Sequence, residues 1–268
     1  MNSVNKTLYI PLYGKAYVSK KGILLDDKKA EEIWAAEAFP LKGKSRSKWL
    51  AYYMGMRSAV FDQWLRQQLC DTQDTVIIHI GCGMDSRVLR VSAANCKWYD
   101  VDFAEVIEER KRYYTECADY KMLACDVRDS GWLESIPENK KAIILMEGVS
   151  MYLSSQELMV LLEKLCAHFE QLSLLMDSYT VLAAKLSKYK NPINDVGVTQ
   201  VYGIDDLKAL ENTELSFVKE HEMTPQELID ELCGIEKHIF KKVFAGSFSK
   251  KMYRLCEYRK HKKTRLTG

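Results

Sequence analysis

Four acidic side chains stand just beyond apolar runs of this chain. Asp85 follows VIIHIGCGM (76–84), Asp102 ends KWYDVD (97–102), Asp126 follows YKMLAC (120–125) and Glu147 follows KAIILM (141–146). A carboxylate at such a position can accept from hydroxyls or amines, or balance a cation. The stretch GCGMDS supplies the first two glycines of a dinucleotide turn, Gly81 and Gly83, with Ser86 where the third would stand. The helix after that turn ordinarily faces a pyrophosphate. Asp85 at its mouth would repel a diphosphate and suit a cationic ligand instead.

Asp100 and Asp102 lie 19 and 21 positions after Gly81. An acid at about that distance, ending the second strand of a nucleotide-binding unit, accepts from ribose hydroxyls. Only one of the two need do so, and an acidic cap for a helix over 103–114 competes with that role. Asp126 could hold an adenine amine while Val127 packs on the ring, or else cap a turn at Ser130 and Gly131. Glu147 falls at the carboxyl end of a strand, which in an open α/β sheet borders the ligand crevice. Acids concentrated there favour a ligand with hydroxyls, an amine and a positive charge over a polyphosphate. S-adenosylmethionine has all three.

The elements that must position these groups read as strand alternating with helix. Strands are expected at 75–80, 97–101, 120–125, 141–146, 171–177, 215–222 and 252–258. Short apolar runs separated by helices imply an α/β fold with a Rossmann-like, seven-stranded, mostly parallel sheet covered on both faces. The last two strands follow a longer interval, which allows one to be antiparallel. Residues 1–70 show no strand pattern. DDKKAEEIWAAEAF (26–39) puts Ala30, Ile33, Trp34 and Ala38 on one stripe before Pro40 breaks the helix. Residues 47–69 support one or two further helices. The segment is expected to form a helical cap on an α/β core over 71–260. SSQE (154–157) and TPQE (224–227) both carry the capping-box pattern, the second with Pro225 at the first helical position. Residues 179–204 interrupt the alternation, as a lid, a substrate loop or a surface excursion would. The basic stretch RKHKKTRLTG ends the chain and is expected to be a solvated tail over 261–268.

Composition bounds the partners. The chain has 268 residues, 47% hydrophobic and 28% charged, with a net charge of +2 at pH 7. That balance predicts neither nucleic-acid nor membrane binding. No apolar run reaches the roughly 18 residues of a membrane span, and the start does not read as a secretory signal. The eight cysteines form no C-x-x-C pair. They read as reduced, mostly buried thiols of a cytoplasmic protein, with no metal site.

Three stretches together carry a family resemblance. VIIHIGCGMDSRVLRV (76–91), KWYDVDFAEVIEERK (97–111) and EGVSMYLSSQEL (147–158) resemble the leucine carboxyl methyltransferase family, including its bacterial branch of tetracenomycin-type polyketide O-methyltransferases. The likeness spans residues 8–260, with PLYGKA (11–16) and MGMRSAVFD (54–62) less specific. It implies that Arg57 grips the methionyl carboxylate of S-adenosylmethionine and that Gly81 and Gly83 let the backbone approach it. It further implies that Asp102, with Asp100 beside it, takes the ribose hydroxyls. Asp126 and Val127 would hold adenine, Glu147 would approach the methionyl amine, and Tyr152 would line the acceptor side. Cys82 and Ser86 depart from the family pattern, and both are small.

Methyl transfer from a sulfonium needs alignment and exclusion of water. A carboxylate acceptor needs no general base, whereas a hydroxyl acceptor would use one. His79 and His168 read as satisfied structural histidines rather than bases. The expectation is therefore O-methylation, with the carboxylate of a small polyketide-like molecule as acceptor and a hydroxyl or a protein C-terminus as alternatives. Arg57, Arg87, Tyr13 and Tyr152 are candidates to orient it. An NAD-dependent oxidoreductase would call for the third glycine and fewer acids. A non-catalytic binding protein on the same scaffold would call for loss of the cofactor-contacting positions.

Overall fold

Val76, Ile77, Ile78 and Ile80 in β1 (Thr75–Ile80) are wholly buried. β-Branched residues suit an extended chain, and burial on both sides requires a layer over each face of the sheet. The computed structural model describes residues 5–69, 74–129, 131–138, 141–190, 200–246 and 251–260. Cys70, Ser130, the middle of the 179–204 segment and the tail over 261–268 lie outside the described residues.

The other strands are β2 (Cys96–Asp102), β3 (Tyr120–Ala124), β4 (Lys141–Met146), β5 (Gln171–Tyr179), β6 (Leu215–His221) and β7 (Tyr253–Lys260). They form one seven-stranded sheet in the order β3-β2-β1-β4-β5-β7-β6. Strands β1 to β5 pair in parallel, and β7 runs antiparallel between β5 and β6. The order reverses between β1 and β4, and a crevice opens beyond the strand ends at such a point.

Two cores flank the sheet. On one side Ile77, Trp98, Ile143, Leu145 and Leu255 pack against Leu12, Ile33, Phe61 and Leu65. Those last four come from α1 (Tyr9–Lys20), α2 (Lys28–Glu37) and α3 (Lys48–Gln68). The N-terminal helices thus form part of one covering layer. On the other side Val76, Ile78, Ile144 and Met146 meet Leu158, Leu161, Leu162 and Leu165 of α6 (Ser155–His168). Burying a branched side chain of this kind contributes about 1.5–3 kcal/mol. The alternation of neighbours along β1 fixes its register, since a one-residue slip would exchange the two faces.

The remaining helices are short: α4 (Arg87–Arg90), α5 (Ala104–Arg110), α7 (Val181–Lys190), α8 (Gln226–Asp230) and α9 (Gly234–Val243). Helix 5 is shorter than the 103–114 expected from sequence. The capping box of Ser154 and Glu157 is formed in both directions. At 224–227 it is not: Pro225 stands in extended conformation at the N-cap of α8, without a side-chain cap bond. Strand β5 continues through Tyr179, and α7 follows from Val181, so the first part of the 179–204 segment is regular structure. No described helix is long and apolar enough to cross a membrane. Of the seven described cysteines, Cys82, Cys96, Cys166 and Cys256 are buried, and all seven are free thiols.

Candidate active site

A cavity of about 870 Å³ opens beyond the carboxyl ends of β1, β2, β4 and β5. Its floor is the turn after β1. Gly81 and Gly83 both have positive φ, 66° and 49°, a region that costs an L residue about 1–2 kcal/mol. A Cβ on Gly81 would also stand 2.2 Å from Val149 Cγ2. Glycine at that position therefore serves both the turn and the close approach of the loop after β4.

Asp102 ends β2 at the cavity wall. Its Oδ2 accepts from the Gly83 amide and its Oδ1 from the Phe103 amide, each at 2.8 Å. Each oxygen keeps a further lone pair, which suits two adjacent hydroxyls. Burial pushes this carboxyl up, against the backbone donors that favour its charge. Asp100 shares its face but lies deeper and does not line the cavity, contrary to the expectation that it stands beside the ligand. It is wholly buried and accepts from Arg110 at 2.5 Å, Tyr120 at 2.7 Å and Trp98 Nε1 at 2.8 Å. Those donors explain why Asp100 points into the core: the helix after β2 carries its counter-ion.

Asp126 and Val127 line the far end of the cavity. Asp126 is partly exposed and chelates Arg128, which lowers its carboxyl. Glu147 lines the cavity between two guanidiniums, accepting from Arg57 Nε at 3.1 Å and Arg87 Nη2 at 2.5 Å. Burial alone would raise its carboxyl, but Arg87 and Arg57 outweigh it and hold it at about 2.

Arg57 reaches from α3 to the ends of β4, β5 and β7. Its Nη1 donates to Asp177 Oδ2 at 2.9 Å and to Tyr253 Oη at 2.6 Å. Asp177 also accepts from the Gly148 amide at 2.7 Å and from the Tyr253 hydroxyl at 2.5 Å. Nη2 also pairs with Glu147 Oε1 at 3.1 Å, which leaves one Nη2 N–H with which Arg57 can meet an anion while its own position is fixed.

Two expectations are corrected at Asp85 and Arg87. Asp85 borders the cavity, but Lys15 at 2.5 Å and Arg90 at 3.1 Å already neutralise it. It anchors the turn rather than presenting a spare charge to a cationic ligand. Arg87 has no exposure and pairs with Asp62 at 2.6 Å and Glu147 at 2.5 Å. It lies behind the cavity wall, out of reach of an acceptor. Tyr13 also points elsewhere, packing on Trp34 and donating to the Arg46 carbonyl. His79 is buried beside Arg87 and Asp100, and His168 contacts the Ile136 carbonyl.

Tyr152 lines the cavity with Tyr53, Tyr179 and Tyr253. The Tyr253 ring stacks on Tyr53 at 6.2 Å and meets Tyr179 edge-on at 4.9 Å. Asp177, Tyr253 and Lys15 are the cavity-building residues that motif reading missed. Asp177 carries the same signal as Glu147, an acid late in an apolar strand. Tyr253 and Lys15 carry none.

Known proteins share sequence similarity or the fold with this chain. The family model described as leucine carboxyl methyltransferase matches residues 8–166. The tetracenomycin polyketide synthesis O-methyltransferase TcmP of Streptomyces glaucescens is 26% identical over 243 residues, covering 89% of this chain and 90% of that protein. An S-adenosyl-L-methionine-dependent methyltransferase, dpfgK, of Gibberella zeae is 28% identical over 183 residues, covering 63% of this chain and 61% of its own length. Among solved structures, the plantazolicin methyltransferase BamL aligns with a TM-score of 0.53 at 11% identity, over 97% of this chain and 98% of that one. The magnesium protoporphyrin IX methyltransferase of Synechocystis PCC 6803 aligns at 0.51 and 12%, over 92% and 97%. At such identities these two show a shared fold.

Proposed function

The chain belongs to the leucine carboxyl methyltransferase family and is an S-adenosylmethionine-dependent methyltransferase; from that premise we propose that it methylates oxygen, esterifying the carboxylate of a small, largely apolar acceptor. The observation that supports this reading is the aromatic character of the cavity beyond the glycine turn. Tyr53, Tyr152, Tyr179, Trp49, Phe244 and Met151 line it. Its volume of about 870 Å³ lies high in the range of ligand pockets, about 300–1,000 Å³. That leaves room for an acceptor beside the methyl donor. The similarity to a polyketide O-methyltransferase over nine-tenths of both chains points the same way.

The residues present fit the cofactor. Asp102 offers one lone pair per oxygen to the ribose diol, and Val127 offers an apolar face to adenine. Among the described residues Glu147 Oε2 carries a bond from Arg87 alone and offers its second lone pair to the methionyl amine, and Arg57 offers its remaining Nη2 N–H to the methionyl carboxylate. When bound, S-adenosylmethionine supplies an electrophilic methyl on a positively charged sulfur. The chain's own contribution is placement. Gly81 and Gly83 let the backbone come close, and the ion pairs around Glu147 keep Arg57 in one position. The aromatic walls exclude water and hold a flat acceptor in line with the methyl. A carboxylate acceptor arrives ionised, so no residue need remove a proton from it.

The test is methyl transfer from labelled cofactor to a panel of aromatic acids and to carboxyl-terminal peptides. Base-labile methyl esters of the small acids are expected. Label transfer confined to the peptides would replace the small acceptor with a protein C-terminus. Label found only on nitrogen or sulfur would overturn oxygen methylation.

A further inference from the structure

We propose that Tyr253 and Asp177 form a proton relay that equips the same cavity for a second reaction, methylation of a phenolic hydroxyl. The inference rests on the oxygen-methylation reading above and adds an acceptor class to it.

The hydrogen-bond directions leave one arrangement. Arginine has only donors, so the 2.6 Å contact from Arg57 Nη1 uses a lone pair of Tyr253 Oη. The single hydroxyl proton then goes to Asp177 Oδ2 at 2.5 Å. One lone pair of Tyr253 Oη remains, and Tyr253 lines the cavity. Turned to the cavity, that lone pair would meet a ligand as a hydrogen-bond acceptor, which suits an acceptor that still carries its proton. A carboxylate has no such proton, and a phenol does.

Asp177 is the terminus of this path. It has no exposure of its own, so the Tyr253 hydroxyl links it to the cavity. Burial pushes its carboxyl up, against Arg57, Tyr253 and the Gly148 amide, which favour the charged form. A buried carboxylate of this kind accepts a proton more readily than an exposed one. Stacking on Tyr53 and edge contact with Tyr179 hold the Tyr253 ring, so the oxygen stays in place between its partners.

The step balances. The acceptor oxygen forms a bond to the methyl carbon while the carbon–sulfur bond breaks, its electron pair remaining on sulfur. The acceptor's O–H bond breaks and its proton passes to Tyr253 Oη. The proton of Tyr253 moves to Asp177 Oδ2. The products are a methyl ether, S-adenosylhomocysteine and a protonated Asp177, which returns its proton by the same path when the cavity opens to water.

The experiment uses a hydroxynaphthoic acid with its phenol and carboxyl at opposite ends of the rings, with labelled cofactor. Base-labile ester and base-stable ether are counted separately. Wild type is expected to make both, and Tyr253→Phe is expected to lower the ether-to-ester ratio at least about 100-fold, the lower end of what a general base supplies. A binding readout accompanies it, in the S-adenosylhomocysteine complex. The phenol is expected to bind about tenfold more tightly than its methoxy counterpart in wild type, with that gap lost in Tyr253→Phe. Ester without ether, or an unchanged ratio and gap in the variant, overturns the relay alone. Ether without ester overturns the carboxylate reading and keeps the relay. No transfer to either end overturns both.

Discussion

The Asp100 carboxylate lies 2.5 Å from the Arg110 guanidinium, and neither side chain is exposed. Two residues on, Asp102 holds the glycine turn through the Gly83 amide and borders the cavity. One strand therefore carries a buried structural acid and a cavity-lining acid on the same face. Asp100→Ala leaves a buried Arg110 without its counter-ion and is expected to cost about 3–5 kcal/mol of stability, read by chemical denaturation. Asp102→Ala is expected to weaken S-adenosylhomocysteine binding by about 2–3 kcal/mol, read by calorimetry. Unchanged affinity in Asp102→Ala would remove that residue from the ribose site.

Gly81→Ala confronts two obstacles, a φ of 66° and a Cβ contact of 2.2 Å with Val149. The backbone alone is expected to cost about 1–2 kcal/mol, and the collision must displace the loop after β4. Cofactor affinity should fall further than stability does. Adding Val149→Ala, which clears the contact, should restore part of that affinity; no recovery would mean that the loop does not press on the turn.

The Glu147 carboxyl is held at about 2 by Arg87 and Arg57, down from 4.5. A carboxyl lowered on folding stabilises above its unfolded value and loses that contribution as pH falls through the folded one. Stability should therefore decline between pH 4.5 and about 2. Glu147→Gln should flatten that part of the urea-denaturation profile while lowering stability at neutral pH. An unaltered acid slope would show that Glu147 does not titrate in this window.

Ser154→Ala removes one arm of the capping box of α6. The expected loss is about 1 kcal/mol, with cofactor affinity unchanged, because neither Ser154 nor Glu157 lines the main cavity. A shift in affinity would tie this helix start to the ligand.

The parallel part of the sheet, β1 to β5, was readable because its strands are short apolar runs with an acid or glycine at or near the end, and tertiary packing agrees with that pattern. The placement of Asp102 and Glu147 at the cavity was readable for the same reason. Asp100 was ambiguous because it shares a face with Asp102, and its burial depends on Arg110, a partner that strand spacing does not reveal. Arg87 read as a candidate to orient the acceptor, yet Asp62 and Glu147 draw it wholly inside. Local pattern does not report counter-ions brought from other elements. Tyr253 was invisible for the opposite reason. It begins an antiparallel strand, and only the insertion of that strand beside β5 brings its ring to the cavity. At TPQE the motif was present but the local geometry was not, because Pro225 occupies the cap itself.

The contact between Arg57 and Tyr253 joins residues 196 positions apart. Closing so long a loop carries a large entropic cost that only late contacts repay. Without β7 beside β5, Arg57 would keep Glu147 but lack its contact with Tyr253, and the acceptor wall would be unfinished even with the glycine turn and Asp102 in place. Ligand affinity and the completion of the sheet thus become one cooperative event, and a bound cofactor would act as a clasp between the two ends of the folded domain.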